Sequence, residues 1–215
     1  MYVAIEGVIG VCKTTLARLL QPAFDAEIIL EVFEENPFLS DFYGDRERYA
    51  FQTQIFFLLS RYHQQRRTVH EIVSTGKNVI ADYTFAKDSL FARINLKGDE
   101  LDMYYKVHEA LAEKIEKPDL LVYLQATTDT LMQRIALRDR PYERQMERSY
   151  IHELNLAYED FFSKPFDHTP VLTIDSNNLN VIQTPGDLKE IEDRIRQSLS
   201  LPQFQQAFPS PFGRG

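Results

Sequence analysis

One cysteine, Cys12, is all the chain contains. No disulfide can close within it, which excludes the small secreted scaffolds that depend on such links and suits a reducing compartment. Long apolar runs are missing too. Residues 55–59 and 120–124 are uninterrupted but fall far short of the roughly 20 residues a membrane-spanning helix needs. The start, Met1-Tyr-Val-Ala-Ile-Glu-Gly, has no basic region leading into an apolar one, so it does not read as a signal peptide. These absences predict a cytoplasmic protein with no membrane partner. Positive charge is also in deficit: 24 Lys and Arg against 32 Asp and Glu leave a net charge of -8. That argues against a general surface for a nucleic acid polymer, while leaving room for one basic cleft.

What is present suits one domain with a substantial core, since 44% of the 215 residues are hydrophobic and 26% charged. Residues 2–6, 27–32, 78–82, 120–125 and 171–176 are short and rich in Val, Ile or Leu, without strict alternation. Strands covered on both faces of a parallel sheet read this way. Helical patterns lie between them, at residues 14–20, 46–74, 85–94, 100–114, 128–138, 147–162 and 187–199. In the longest, Phe51, Ile55, Phe56, Leu59 and Tyr62 mark one face. The alternation predicts an α/β doubly wound fold with a five-stranded parallel sheet flanked by helices. Residues 1–199 form the expected domain, and the proline-bearing residues 200–215 read as an irregular tail.

The first strand runs into Gly7-Val8-Ile9-Gly10-Val11-Cys12-Lys13-Thr14-Thr15. This nearly matches the phosphate-loop pattern G-x-x-x-x-G-K-[ST], in the required setting of strand, loop and helix start. Small residues let backbone N–H groups turn inward around phosphates, and the helix presents its positive end. Lys13 would reach the β- and γ-phosphates of ATP, and the Thr14 hydroxyl would hold Mg²⁺. Cys12 stands where the pattern has its second glycine. Its Cβ is expected to crowd the phosphate or resist the backbone angles that glycine tolerates. Its thiol, beside a lysine at a helix N-terminus, is expected to be reactive. No guanine-reading Asn-Lys-x-Asp motif is present, and residues 120–124 lead into Gln-Ala-Thr-Thr rather than paired acids. GTPases and transport ATPases are thereby set aside, which leaves the small-molecule kinases.

Six stretches now carry a resemblance jointly. They are the phosphate loop; Glu31-Val-Phe-Glu-Glu-Asn-Pro-Phe-Leu; Phe42-Tyr43; Phe51-Gln-Thr-Gln54-Ile-Phe-Phe-Leu-Leu-Ser-Arg61; Asp82-Tyr-Thr-Phe-Ala-Lys-Asp88-Ser-Leu-Phe-Ala; and Arg134-Ile-Ala-Leu-Arg138-Asp-Arg140-Pro-Tyr-Glu143. In this order and spacing the chain resembles the deoxynucleoside kinase family, in particular its bacterial deoxyadenosine and deoxyguanosine kinases. The resemblance implies a P-loop kinase fold with a short arginine-rich lid, ATP and Mg²⁺ as cofactors, a deoxynucleoside substrate and a homodimer. It makes Glu31 the base that takes the proton of the sugar 5′-hydroxyl, with Glu34 and Glu35 as rivals. Asp82 becomes the carboxylate near the metal, or a sharer of the base role; a plain helix N-cap is the alternative. The family usually has Arg-Ser after this acid, and here Tyr83-Thr84 follows, so one positive charge is missing; bacterial members often lack it as well, which makes it a subtype mark.

The same resemblance gives Gln54 and Arg61 to the nucleoside base. They lie about two helical turns apart on one face. Arg61 would pair with Asp88, and Tyr43 and Glu143 would meet the sugar 3′-hydroxyl. Phe85, Phe56 and Phe91 are candidates to sandwich the base, against the plainer reading that they are core. Arg138 and Arg140 would be lid arginines over the phosphates, with Arg140 acting in catalysis. Arg134 shares a helix face with Arg138, and Arg144 reads as an ordinary surface charge. The alternatives to deoxynucleoside phosphorylation are a thymidylate-type monophosphate kinase and a nucleotide-binding protein weakened by Cys12.

Overall fold

The computed structural model describes residues 1–33, 35–164, 166 and 169–202. Glu34, one rival for the base, and most of the expected tail, residues 203–215, lie outside the described residues. Five strands, β1 (Tyr2–Glu6), β2 (Ala26–Ile29), β3 (Asn78–Ala81), β4 (Leu120–Gln125) and β5 (Val171–Asp175), form one sheet in the order β2-β3-β1-β4-β5. Every neighbouring pair is parallel. Parallel neighbours must be joined by crossovers, and helices make them here.

The central strand β1 is buried along its whole length, which is why its sequence is apolar without alternation. Its side chains still divide between the two faces. Val3 and Ile5 join the larger core with Leu16, Leu20 and Ile80, while Tyr2 and Ala4 join a smaller one with Val69, Val79 and Tyr83. The chain leaves β1 first toward β2 and later toward β4, so the sheet order reverses beside the carboxyl end of β1. Ligand crevices of open α/β sheets form at such a point.

Among the described residues the helices are α1 (Lys13–Phe24), α2 (Leu39–Gly44), α3 (Arg46–Gln64), α4 (His70–Ser74), α5 (Lys87–Asn95), α6 (Gly98–Ala112), α7 (Thr128–Arg138), α8 (Arg148–Phe162) and α9 (Pro185–Ser198). Three differ instructively from the sequence reading. The single helix expected over residues 46–74 is divided by a π-helical turn at Gln65–Val69. That wider turn re-phases the helix, so that Val69 enters the smaller core and buried Gln65 accepts from the Tyr2 hydroxyl at 3.2 Å. Helix α1 runs through Pro22 to Phe24, past its expected end at residue 20. The proline sits in the last turn, so the one backbone hydrogen bond it removes lies at the end of the helix, which stops two residues later. Helix α2 was not expected, being too short for a periodicity to show. Strand β2 also stops at Ile29 rather than residue 32, which leaves Glu31 on an irregular segment beyond the sheet. Among the described residues no helix is long and apolar enough to cross a membrane.

Candidate active site

The phosphate loop turns back sharply between β1 and α1, and two glycines make that possible. At Gly7, φ is 148° and an added Cβ would stand 2.5 Å from the Leu124 carbonyl oxygen. At Gly10, φ is 91° and a Cβ would stand 2.9 Å from both Ile135 Cγ1 and the Leu131 carbonyl oxygen. Neither backbone has room for a side chain. Cys12 takes the left-handed conformation as well, with φ 75° and ψ 30°, directly before α1. The residue thus holds the angles that suit glycine while carrying a Cβ; it is exposed and lines the cleft. Val8 and Val11 bury their side chains in the core and offer the loop only their backbone, whereas Ile9, Thr14 and Thr15 line the cleft.

Lys13 curls over the loop, its Nζ donating to the carbonyls of Gly7 at 2.7 Å and Val8 at 3.3 Å. Burial and the neighbouring charge of Lys87 push its pKa down, while Glu6, Glu31 and Asp82 pull it up. The balance leaves it lowered to about 8.

Two carboxylates face this loop. The Thr14 hydroxyl donates to Asp82 Oδ2 at 2.5 Å, and Asp82 Oδ1 accepts from the Glu31 backbone N–H at 2.8 Å. Asp82 thus ties α1 to the segment that carries Glu31. Gln64 fixes that segment from α3: its Nε2 donates to the Leu30 carbonyl at 2.9 Å, and its Oε1 accepts from the Tyr83 hydroxyl. The Glu31 carboxylate itself sits between two cations. Arg61 donates to Oε1 through Nη2 and, at 2.9 Å, through Nε; Lys87 Nζ donates to Oε2 at 2.7 Å. Burial alone would raise the Glu31 pKa, but Arg61 and Lys87 outweigh it and hold the group well below the usual carboxylate range. Arg61 reaches onward to fully buried Asp88 and lies over the Phe57 ring at 4.5 Å. The expected Arg61–Asp88 pair forms, with Glu31 as an unexpected third member.

Lys87 escaped the sequence reading because a lysine beside an aspartate looks like a solvated helix charge. The signal was the missing arginine after Asp82, which asked for a cation from elsewhere. Glu6 escaped as well. It is fully buried at the end of β1 and accepts from the Gly7 N–H at 3.2 Å, the Thr84 N–H at 2.6 Å, the Thr84 hydroxyl at 3.1 Å and the Tyr158 hydroxyl at 3.2 Å. It locks the start of the phosphate loop to the segment after Asp82.

Gln54, Tyr43 and Glu143 line the same cleft, which encloses about 410 Å³. Phe85 does not: it is buried against His108, ring centroids 4.9 Å apart, and so belongs to the core. Phe56 is also absent from the cleft wall, whereas the third candidate, Phe91, lines it beside Phe57, Phe42 and Phe33. On the lid, a 3-10 turn at Pro141–Glu143 follows α7. Arg138 grips buried Glu143 with Nη2 at 2.6 and 2.7 Å and Nε at 3.1 Å. Arg140 stands 3.7 Å from the same carboxylate and lies over the Phe33 ring at 4.2 Å. Tyr142 stacks on Tyr43 at 6.4 Å and 10°. Arg134 donates to the Ser176 carbonyl at 2.6 Å, joining the lid helix to the segment after β5. Arg144 pairs with Asp139 on the surface, as an ordinary helix-end charge would.

A glycine-turned loop at the switch point, a lysine and a threonine at its end, carboxylates opposite and arginines above are the parts of a P-loop kinase. A family model described as deoxynucleoside kinase matches residues 3–200. The chain is 35% identical to a deoxyguanosine kinase of Bacillus subtilis (strain 168), over 91% of this chain and 96% of that one. It is 31% identical to a deoxyadenosine kinase of Dictyostelium discoideum, over 100% of this chain and 86% of that one. Its fold superposes on deoxyadenosine kinase from M. mycoides with bound dCTP at a TM-score of 0.79 and 25% identity, covering 92% of this chain and 100% of that one. The chain belongs to the deoxynucleoside kinase family, and its activity is deoxynucleoside phosphorylation.

Proposed function

We propose that this enzyme moves the γ-phosphate of ATP to the 5′-hydroxyl of a purine deoxynucleoside, deoxyguanosine or deoxyadenosine, with deoxycytidine as a lesser acceptor. The observation that carries the reading is Glu31, an ionised carboxylate fixed across the cleft from the phosphate loop. Residues 7–15 cradle the donor phosphates, with Lys13 against the β- and γ-groups. Glu31 accepts the 5′-hydroxyl proton. Held between two cations, it is a weak base, which suits phosphoryl transfer, where positioning and charge matter more than base strength. Gln54 and the Arg61–Asp88 pair read the base. Tyr43 and Glu143 meet the 3′-hydroxyl, and Arg138 and Arg140 close over the phosphates.

Thr14 Oγ1 and Asp82 Oδ2 are the oxygens that fit Mg²⁺. Two hard donors at the loop's end suit an ion that completes its shell with phosphates and water. When bound, the ion would neutralise charge on the β- and γ-phosphates. The purine preference is supported by the deoxyguanosine and deoxyadenosine kinase relatives. A homodimer meeting through α3 and α6 is the arrangement that the family resemblance implies. Sedimentation equilibrium at twice the monomer mass is the expected result, and a monomer would refute it.

The decisive assay supplies ATP, Mg²⁺ and a panel of deoxynucleosides and monophosphates. Fastest ADP release with deoxyguanosine or deoxyadenosine is expected. A preference for thymidine would overturn the substrate choice, and ADP release with monophosphates alone would turn the reading to a monophosphate kinase.

A further inference from the structure

We infer that Lys87 supplies the acceptor end of this site with the positive charge that Asp82-Tyr83-Thr84 lacks, and that its charge is uncovered during the reaction as Glu31 takes up a proton. The inference rests on the kinase reading above and extends it to a residue that there only holds the Glu31 carboxylate ionised. Lys87 is the first residue of α5, and its side chain is 5% exposed. Its ion partner among the described residues is Glu31, at 2.7 Å. Otherwise its ammonium faces the rings of Tyr83 and Phe91, at 5.7 and 5.9 Å. Burying an ammonium against a single carboxylate contributes little to stability and is often neutral or worse beside an apolar replacement. Its place in the cleft wall, beside the proposed base, gives that burial a use.

The charge balance of the transfer shows what the use is. The 5′-oxygen forms its bond to the γ-phosphorus, and the bond from that phosphorus to the β–γ bridging oxygen breaks. Its electron pair leaves on ADP, and the hydroxyl proton passes to Glu31. Glu31 becomes neutral. Arg61 keeps an anion, because Asp88 stays paired with it. Lys87 keeps none. Its charge, cancelled in the ground state, then acts on the oxygens of the phosphoryl group in flight. An interaction that strengthens only as the reaction proceeds raises kcat rather than affinity.

The test measures kcat, nucleoside KM and ATP Kd for wild type, Lys87→Met, Lys87→Arg, Glu31→Gln and the Glu31→Gln/Lys87→Met double variant. Lys87→Met is expected to lower kcat about 10²–10³-fold, the loss typical of one transition-state charge donor, with ATP Kd and nucleoside KM near wild type. Lys87→Arg, which keeps the charge, is expected to recover most of that loss. In the Glu31→Gln background Lys87 carries no counter-ion at any stage, so its removal should shift ATP affinity and leave kcat almost unmoved. A Lys87→Met enzyme with near-normal kcat would overturn the inference. So would an equal kcat loss in both backgrounds, which marks a merely structural residue. If Lys87→Met does not fold, Lys87→Gln answers the same questions. Wild type active with Lys87 dispensable sinks this inference alone; wild type inactive on every nucleoside sinks the kinase reading and this inference together.

Discussion

Replacing Cys12 by glycine removes a Cβ from a residue held at φ 75° and ψ 30°. An L-residue in that region carries about 1–2 kcal/mol of strain. Glycine relieves it but has more freedom to lose on folding, which returns about 0.4–1 kcal/mol. The thiol itself contributes little, since it is exposed and its polar contact among the described residues is Sγ to the Gly10 carbonyl at 3.7 Å. The net expectation is a gain of about 0.5–1 kcal/mol. For a chain of this size that corresponds to a Tm higher by about 1–4 °C. Thermal and urea midpoints of Cys12→Gly and Cys12→Ala measure it. Alanine keeps the Cβ, so that variant should stay within about 0.5 kcal/mol of wild type. Equal midpoints for the two variants, or a lower one for glycine, would refute the strain argument.

Lys13, with its pKa lowered to about 8, is charged below that pH and neutral above it. The kcat/KM for ATP should therefore be level in mild acid and fall as pH rises through about 8. Lys13→Arg should remove that fall, and a wild-type profile flat to high pH would contradict it. Arg61→Met strands buried Asp88 without its counter-ion. Breaking such a pair costs about 3–5 kcal/mol, and adding Asp88→Leu should recover part of it; urea midpoints of the single and double variants decide. Gly10→Ala combines a φ of 91° with contacts at 2.9 Å to Ile135 and Leu131. It should weaken ATP binding by calorimetry far more than Cys12→Gly, and equal effects would show that the turn does not need that glycine.

The sheet was legible in the sequence because buried parallel strands such as β1 leave short continuous apolar runs bounded by turn residues, whereas the similar run at residues 55–59 lies inside a longer helical pattern. The phosphate loop was legible because its glycines, lysine and threonine are adjacent. The π-helical turn at Gln65–Val69 was not, since a single extra residue per turn leaves the apolar pattern of the long helix almost unchanged. Residues brought together from distant segments were harder again. The pair of Arg61 and Asp88 came from the family resemblance. The convergence of Glu31, Arg61 and Lys87 needed the fold, which draws three segments onto one carboxylate. Glu6 read as one more strand residue, because nothing local tells that its carboxylate turns inward to hold two backbone N–H groups. Phe85 went the other way: it sits beside the site in sequence and in the core in space.

The most direct test of the central claim is a single-turnover transfer from γ-labelled ATP to deoxyguanosine or deoxyadenosine, by wild type and by Glu31→Gln. The expected result is label on the 5′-oxygen of the nucleoside with wild type, and a rate at least about 10²-fold lower for the variant, which should still bind ATP with near-normal affinity. Label transfer at an unchanged rate in Glu31→Gln would show that the base is another group. Label on any position but the 5′-oxygen would contradict the assigned reaction.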